Sequence, residues 1–94
     1  MRIRLEQYGA ILTSRPAGRE AALAMKARIQ PAANEAIELD FTGVVSVGPS
    51  WLDEVLGALR ADYGRARVVC LPTKNASVVE SLKVIDAGPG RPGF

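Results

Sequence analysis

The sequence predicts an α/β layer: one domain with a mostly parallel, mixed sheet and about three helices packed on it. Three observations carry this expectation. Segments 2–8, 36–41 and 67–71 are alternating or continuous in apolar residues and read as strands. Three other segments repeat apolar residues at helical spacing and fall between or after those strands. The length of 94 residues suits one domain. Strands that alternate with helices build a sheet whose neighbours run parallel.

In the first strand Ile3 and Leu5 fall on one side, and Arg2, Arg4 and Glu6 on the other. Gly9 interrupts it, and Ala10-Ile11-Leu12 is expected to return as a short second strand in a hairpin, which makes the sheet mixed. Thr13 or Ser14 then caps a helix with Pro16 in its first turn, where a missing N–H costs nothing. Ala22, Met25 and Ile29, with Leu23 beside them, mark its inner face up to about Ile29, and Pro31 stops it.

The next strand puts Ile37, Leu39 and Phe41 on one side, and Val44 to Val47 extend the apolar run until Gly48-Pro49 breaks it. Ser50 is expected as the N-cap of the second helix, with Asp53 three residues on as a capping-box partner. Asp53 and Glu54 would then sit at the positive end of the helix dipole. Leu52, Val55, Leu56, Leu59 and Tyr63 form its apolar face, and Gly64 ends it. Segment 67–71 reads as a strand buried on both faces, with Cys70 a small hydrophobe in a central position. Asn75 caps a last helix with Val78, Val79, Leu82 and Ile85 inward. The domain is expected over residues 1–87 and an unpacked Gly/Pro-rich tail over 88–94.

Composition narrows the function. The chain has no histidine and one cysteine. That removes His-based nucleophile systems, His-containing metal sites, internal disulfides and cysteine-cluster zinc. No phosphate-cradling Gly-x-x-x-x-Gly-Lys-Ser/Thr is present, and nothing holds Lys74 against a serine. The expectation is a non-enzyme with no cofactor and no metal. Asp40 with Asp53 or Glu54 is the best carboxylate set, but Asp53 and Glu54 point about 100° apart on a helix, and Arg15 is the better partner for Asp40 or Asp53. A net charge of +2 with scattered basic residues argues against nucleic acid, for which Arg2, Arg4, Arg65 and Arg67 are the candidates. The segment Met1–Gly9 lacks the apolar run of a secretory signal, and no window suggests a membrane span, so a cytoplasmic protein is expected.

Function in open α/β sheets collects beyond the carboxyl ends of the strands. There the sharpest constellation is Gly48-Pro49-Ser50-Trp51-Leu52-Asp53-Glu54. A helix start can accept a phosphate, either on a ligand or on a modified Ser50. A plain N-cap with Asp53 as its partner is the favoured reading of Ser50, because caps are far commoner than switches. Trp51 is a core anchor or an exposed partner contact, and the scarcity of other large side chains favours the core.

Three segments carry a resemblance. Ser14-Arg15 opens the first helix; Leu39-Asp40-Phe41-Thr42-Gly43-Val44 forms a strand and turn; Gly48-Pro49-Ser50-Trp51-Leu52-Asp53-Glu54 opens the second helix. Their order and spacing, over about residues 8–86, resemble the STAS domains of sulfate transporters and anti-sigma factor antagonists, and more closely a bacterial STAS-like family of unknown function. The resemblance implies a small regulatory module that binds a protein partner, of serine-kinase-like or anti-sigma type, and is switched by phosphorylation at the helix-start serine. The interaction or switch residues would be Ser50, Trp51, Asp53 and Glu54, supported by Ser14, Arg15 and Asp40. Antagonists carry Asp-Ser-Ser/Thr-Gly at this loop; here Gly48-Pro49-Ser50-Trp51 leaves Ser50 as the one hydroxyl. The alternative is a module that holds a nucleotide or other anion at the second helix start. A homodimer is left open.

Overall fold

The computed structural model describes residues 1–87, so the expected tail at 88–94 lies outside the described residues. Five strands and three helices follow in the order β1 (Arg2–Arg4), β2 (Ile11–Leu12), α1 (Arg15–Arg28), β3 (Ile37–Asp40), β4 (Ser46–Val47), α2 (Pro49–Tyr63), β5 (Val68–Cys70) and α3 (Ala76–Ala87). This is the α/β class with three helices that the sequence predicts.

Strands β1, β3 and β5 form one sheet with β3 in the middle, and β2 pairs with β4 in a second. Every pair among the described residues is parallel: Ile3 stands beside Leu39, Ile37 beside Val68, and Leu12 beside Val47. The expected hairpin at Gly9 is therefore corrected. After β1 the chain makes a 3-10 turn over Leu5–Tyr8, and Gly9, at φ +133°, carries it into β2 without reversing direction. The partner segment breaks at the same level. Thr42 N–H bonds back to the Asp40 carboxylate at 2.9 Å, and Gly43 adopts φ +87°. Leu5 and Phe41 both turn into the core at this break. The same two stretches of chain thus pair twice in the same sense, once as β1 with β3 and again as β2 with β4.

Ile3, Ile37, Leu39 and Val68 share the buried side of the three-stranded sheet, whereas Arg2, Arg4, Glu38 and Asp40 alternate onto the other. The expected burial of both faces of β5 is also corrected. It is an edge strand, with Val68 buried, Val69 41% exposed and Cys70 half-buried. Burial raises the Cys70 thiol above its ordinary pKa.

Helix α2 buries Trp51, Leu52, Val55, Leu56 and Leu59 and packs between α1 and α3. In α1, Ala22 and Met25 face inward as the spacing predicts, but Leu23 is 64% exposed. In α3, Val78 and Ile85 are buried, and Val79 turns outward. Its place is taken by Ser81, 3% exposed, whose hydroxyl donates to the Val47 carbonyl at 3.0 Å. Ser77 Oγ accepts from Val47 N–H, and the Asn75 amide donates to the Val44 and Val45 carbonyls. These side chains of α3 and its cap satisfy backbone groups that a further strand would otherwise have to pair. Asn75 also caps α3, accepting from Ser77 N–H at 2.9 Å.

Candidate functional site

Because β2 and β4 are parallel neighbours, the helices that follow them start side by side. Gly48 N–H bonds to the Leu12 carbonyl at 2.8 Å, which ties the two strand-to-helix turns together. Ser14 is the N-cap of α1; its Oγ accepts from Ala17 N–H at 3.3 Å, and its backbone holds φ +74°. The cap of α2 lies two residues earlier than expected. Gly48 is the N-cap and Pro49 the first helical residue, so Ser50 is inside the first turn and makes no cap bond. The reason is local: proline's fixed φ and missing N–H suit the first helical position better than any position before it.

This shift moves Asp53 and Glu54 beyond the first turn, and their partners are arginines in place of the helix dipole. One guanidinium nitrogen of Arg15 reaches Asp53 at 3.1 Å and Glu54 at 3.0 Å. Arg19, one turn further along α1, reaches the other oxygen of Glu54 at 3.0 Å. The hydrogen bond to Asp53, then that to Glu54, raises the Arg15 pKa above its already high ordinary value. The cluster thus holds two cations against two carboxylates on an exposed surface.

Ser50, Asp53 and Glu54 stand at i, i+3 and i+4 and share a face of α2. The Ser50 side chain is half-buried, and no hydrogen bond among the described residues engages its hydroxyl. Trp51 turns the other way and is 1% exposed. It is a core residue, and the reading of Trp51 as a partner contact is corrected: on a helix already anchored by Leu52 and Val55, its position faces α1. Asp40 also stands apart from the cluster. Its carboxylate is held by the Thr42 N–H, with Arg2 at 4.0 Å, and the Thr42 bonds hold its pKa below the ordinary carboxylate value. Among the described residues no group of three or more Cys, Asp or Glu is placed to hold a metal ion.

Two residues of the site escape the sequence reading. Gly18 lets α1 approach α2: a β carbon there would lie 2.6 Å from the Trp51 carbonyl oxygen. Arg19 completes the ion cluster. An isolated glycine inside a helical pattern, with arginines on either side of it, was the available signal.

The basic residues named as nucleic-acid candidates are each engaged locally. Arg2 lies by Asp40, Arg4 contacts Glu6, and Arg65 is 3.7 Å from Asp86. Arg67 donates to the Glu35 and Ala32 carbonyls and lies over the Tyr63 ring. None of the helices described is long and apolar enough to cross a membrane.

A family model described as a STAS-like domain of unknown function (DUF4325) matches residues 24–89. The chain belongs to this STAS-like family. The match takes in the C-terminal end of α1 and all of β3, β4, α2, β5 and α3, including Ser50, Asp53 and Glu54. No match was found among curated proteins or among solved structures. Within the STAS-like domain, Ser14, Arg15 and Gly18 precede the matched residues, yet they build the same edge as the matched α2 start.

Proposed function

We propose that this STAS-like domain binds a protein partner, without a catalytic step of its own, through the edge where α1 and α2 begin, and that phosphorylation of Ser50 controls binding. The observation that carries the reading is the Ser50 hydroxyl, unengaged and on the same α2 face as Asp53 and Glu54, whose charges Arg15 and Arg19 balance. A phosphate adds about −1.5 to −2 charges at neutral pH. It would turn a balanced cluster into a strongly negative one and alter the surface a partner meets. A serine-kinase-like or anti-sigma-type regulator is the class of partner implied. An anion held at the same helix start has less support, because Arg15 and Arg19, the cations of this edge, are already paired with Asp53 and Glu54.

The test is affinity capture with the wild-type chain, Ser50→Asp and Glu80→Ala, the last a change on exposed α3 away from the edge. A partner retained by wild type and Glu80→Ala but lost by Ser50→Asp supports the reading. Identical capture by all three overturns it.

A further inference from the structure

We propose that the outer face of α1 and α2 is an interface between two copies of this chain, with Leu23 of each copy seated over Gly57 of the other. The proposal is independent of any role for Ser50.

The two helices run parallel, as the ion pairs along them show: Arg15 with Asp53, Arg19 with Glu54, and Lys26 with Asp62 at 3.1 Å. Between them lies an open groove of about 350 Å³, lined by Arg19, Ala22, Lys26, Glu54, Gly57 and Ala58. Its floor is small and apolar, and a β carbon at Gly57 would meet nothing within 4 Å. Leu23 stands at the same level, bracketed by the Arg19 and Lys26 pairs, and is 64% exposed. The face therefore carries a knob beside a hole, with an apolar centre and a charged rim, which is the layout of a protein interface.

The rim selects the occupant. Its cations, Arg15, Arg19 and Lys26, are all on α1, and its anions, Asp53, Glu54 and Asp62, are all on α2. Two copies related by a two-fold axis along the helices set α1 of one on α2 of the other, in the same direction. Basic then faces acidic along the whole length, and Leu23 faces the partner's Gly57 and Ala58. An axis across the helices would set α1 on α1 and bring cations together. A self-complementary patch of this kind is what a two-fold interface requires.

Sedimentation equilibrium up to millimolar chain concentration tests this. Wild type should show a monomer–dimer equilibrium. Leu23→Glu removes the knob and sets an acid against the partner's acidic α2, and Gly57→Leu fills the hole; each should weaken association roughly tenfold or more. Both positions are exposed, and leucine is a better helix former than glycine, so circular dichroism melts should show both variants folded. Val84→Lys, at another exposed apolar position, should dimerise as wild type does. A wild type that stays monomeric, a dimer indifferent to both groove variants, or a dimer broken by Val84→Lys would overturn the proposal.

Discussion

Gly18 in α1 faces the backbone of Trp51 in α2 so closely that its missing β carbon is the space the second helix uses. A β carbon built there would lie 2.6 Å from the Trp51 carbonyl oxygen and 2.8 Å from its Cα. Both neighbours are helix backbone and cannot rotate away. This contact sets the distance between the helices and with it the reach of Arg15 and Arg19 to Asp53 and Glu54.

Gly18→Ala should therefore destabilise the domain, although alanine is the better helix former by about 1 kcal/mol. Forcing a methyl group into packed backbone costs about 1–3 kcal/mol, and here the neighbour cannot yield. Urea unfolding should show a lower midpoint with an unchanged slope. A variant as stable as wild type would mean that the helices part freely.

Trp51 offers a second test of the same contact region. At 1% exposure it is the largest fully buried side chain described. Trp51→Ala should cost about 3–5 kcal/mol, and the tryptophan emission of the wild type should be blue-shifted and poorly quenched by iodide. A residue serving only as a partner contact would leave stability unchanged and emit as exposed indole does.

How much of this edge was legible in the sequence differs residue by residue. The inward faces of α1 and α2 follow from spacing, since Ala22, Met25, Leu52, Val55, Leu56 and Leu59 repeat with the helical period. The pairing of Arg15 with Asp53 follows from the chemistry of neighbouring helix starts. The direction of β2 did not, because a two-residue strand after a glycine reads equally as a hairpin return or a parallel continuation. The outward turn of Leu23 and Val79 depends on which neighbours a helix meets, which no local pattern contains. Ser81 shows the converse: its hydroxyl is buried where it donates to the Val47 carbonyl across the fold.

Ser14 combines a useful cap with an unfavourable backbone. Its Oγ accepts from Ala17 N–H, yet its φ of +74° and ψ of 143° lie where residues other than glycine are strained. Ser14→Ala loses the cap, worth about 1 kcal/mol, and keeps the strain. Ser14→Gly loses only a few tenths of a kcal/mol of capping and relieves strain of order 1–3 kcal/mol. The glycine variant should therefore melt above the alanine variant and match or exceed wild type. The reverse order would show that the hydroxyl outweighs the backbone.

Asp40 gives the fold an acid sensitivity whose sign is set by its partners. The Thr42 N–H, then the Thr42 side chain, and more weakly Arg2 favour the ionised carboxylate and hold its pKa below the ordinary 3.8. The unfolded chain then takes up a proton at a higher pH than the folded one. Stability from this group is complete above the ordinary carboxylate value and is lost as pH falls through the lower, folded one. Asp40→Asn cannot ionise, so its stability should vary less with pH than that of wild type across this acidic window. It should also be the less stable protein at neutral pH, where the wild-type carboxylate is fully charged. Urea midpoints measured for both proteins from neutrality down to strongly acidic buffer would check the slope, and parallel pH curves for the two would show that the turn at Thr42 draws nothing from the charge.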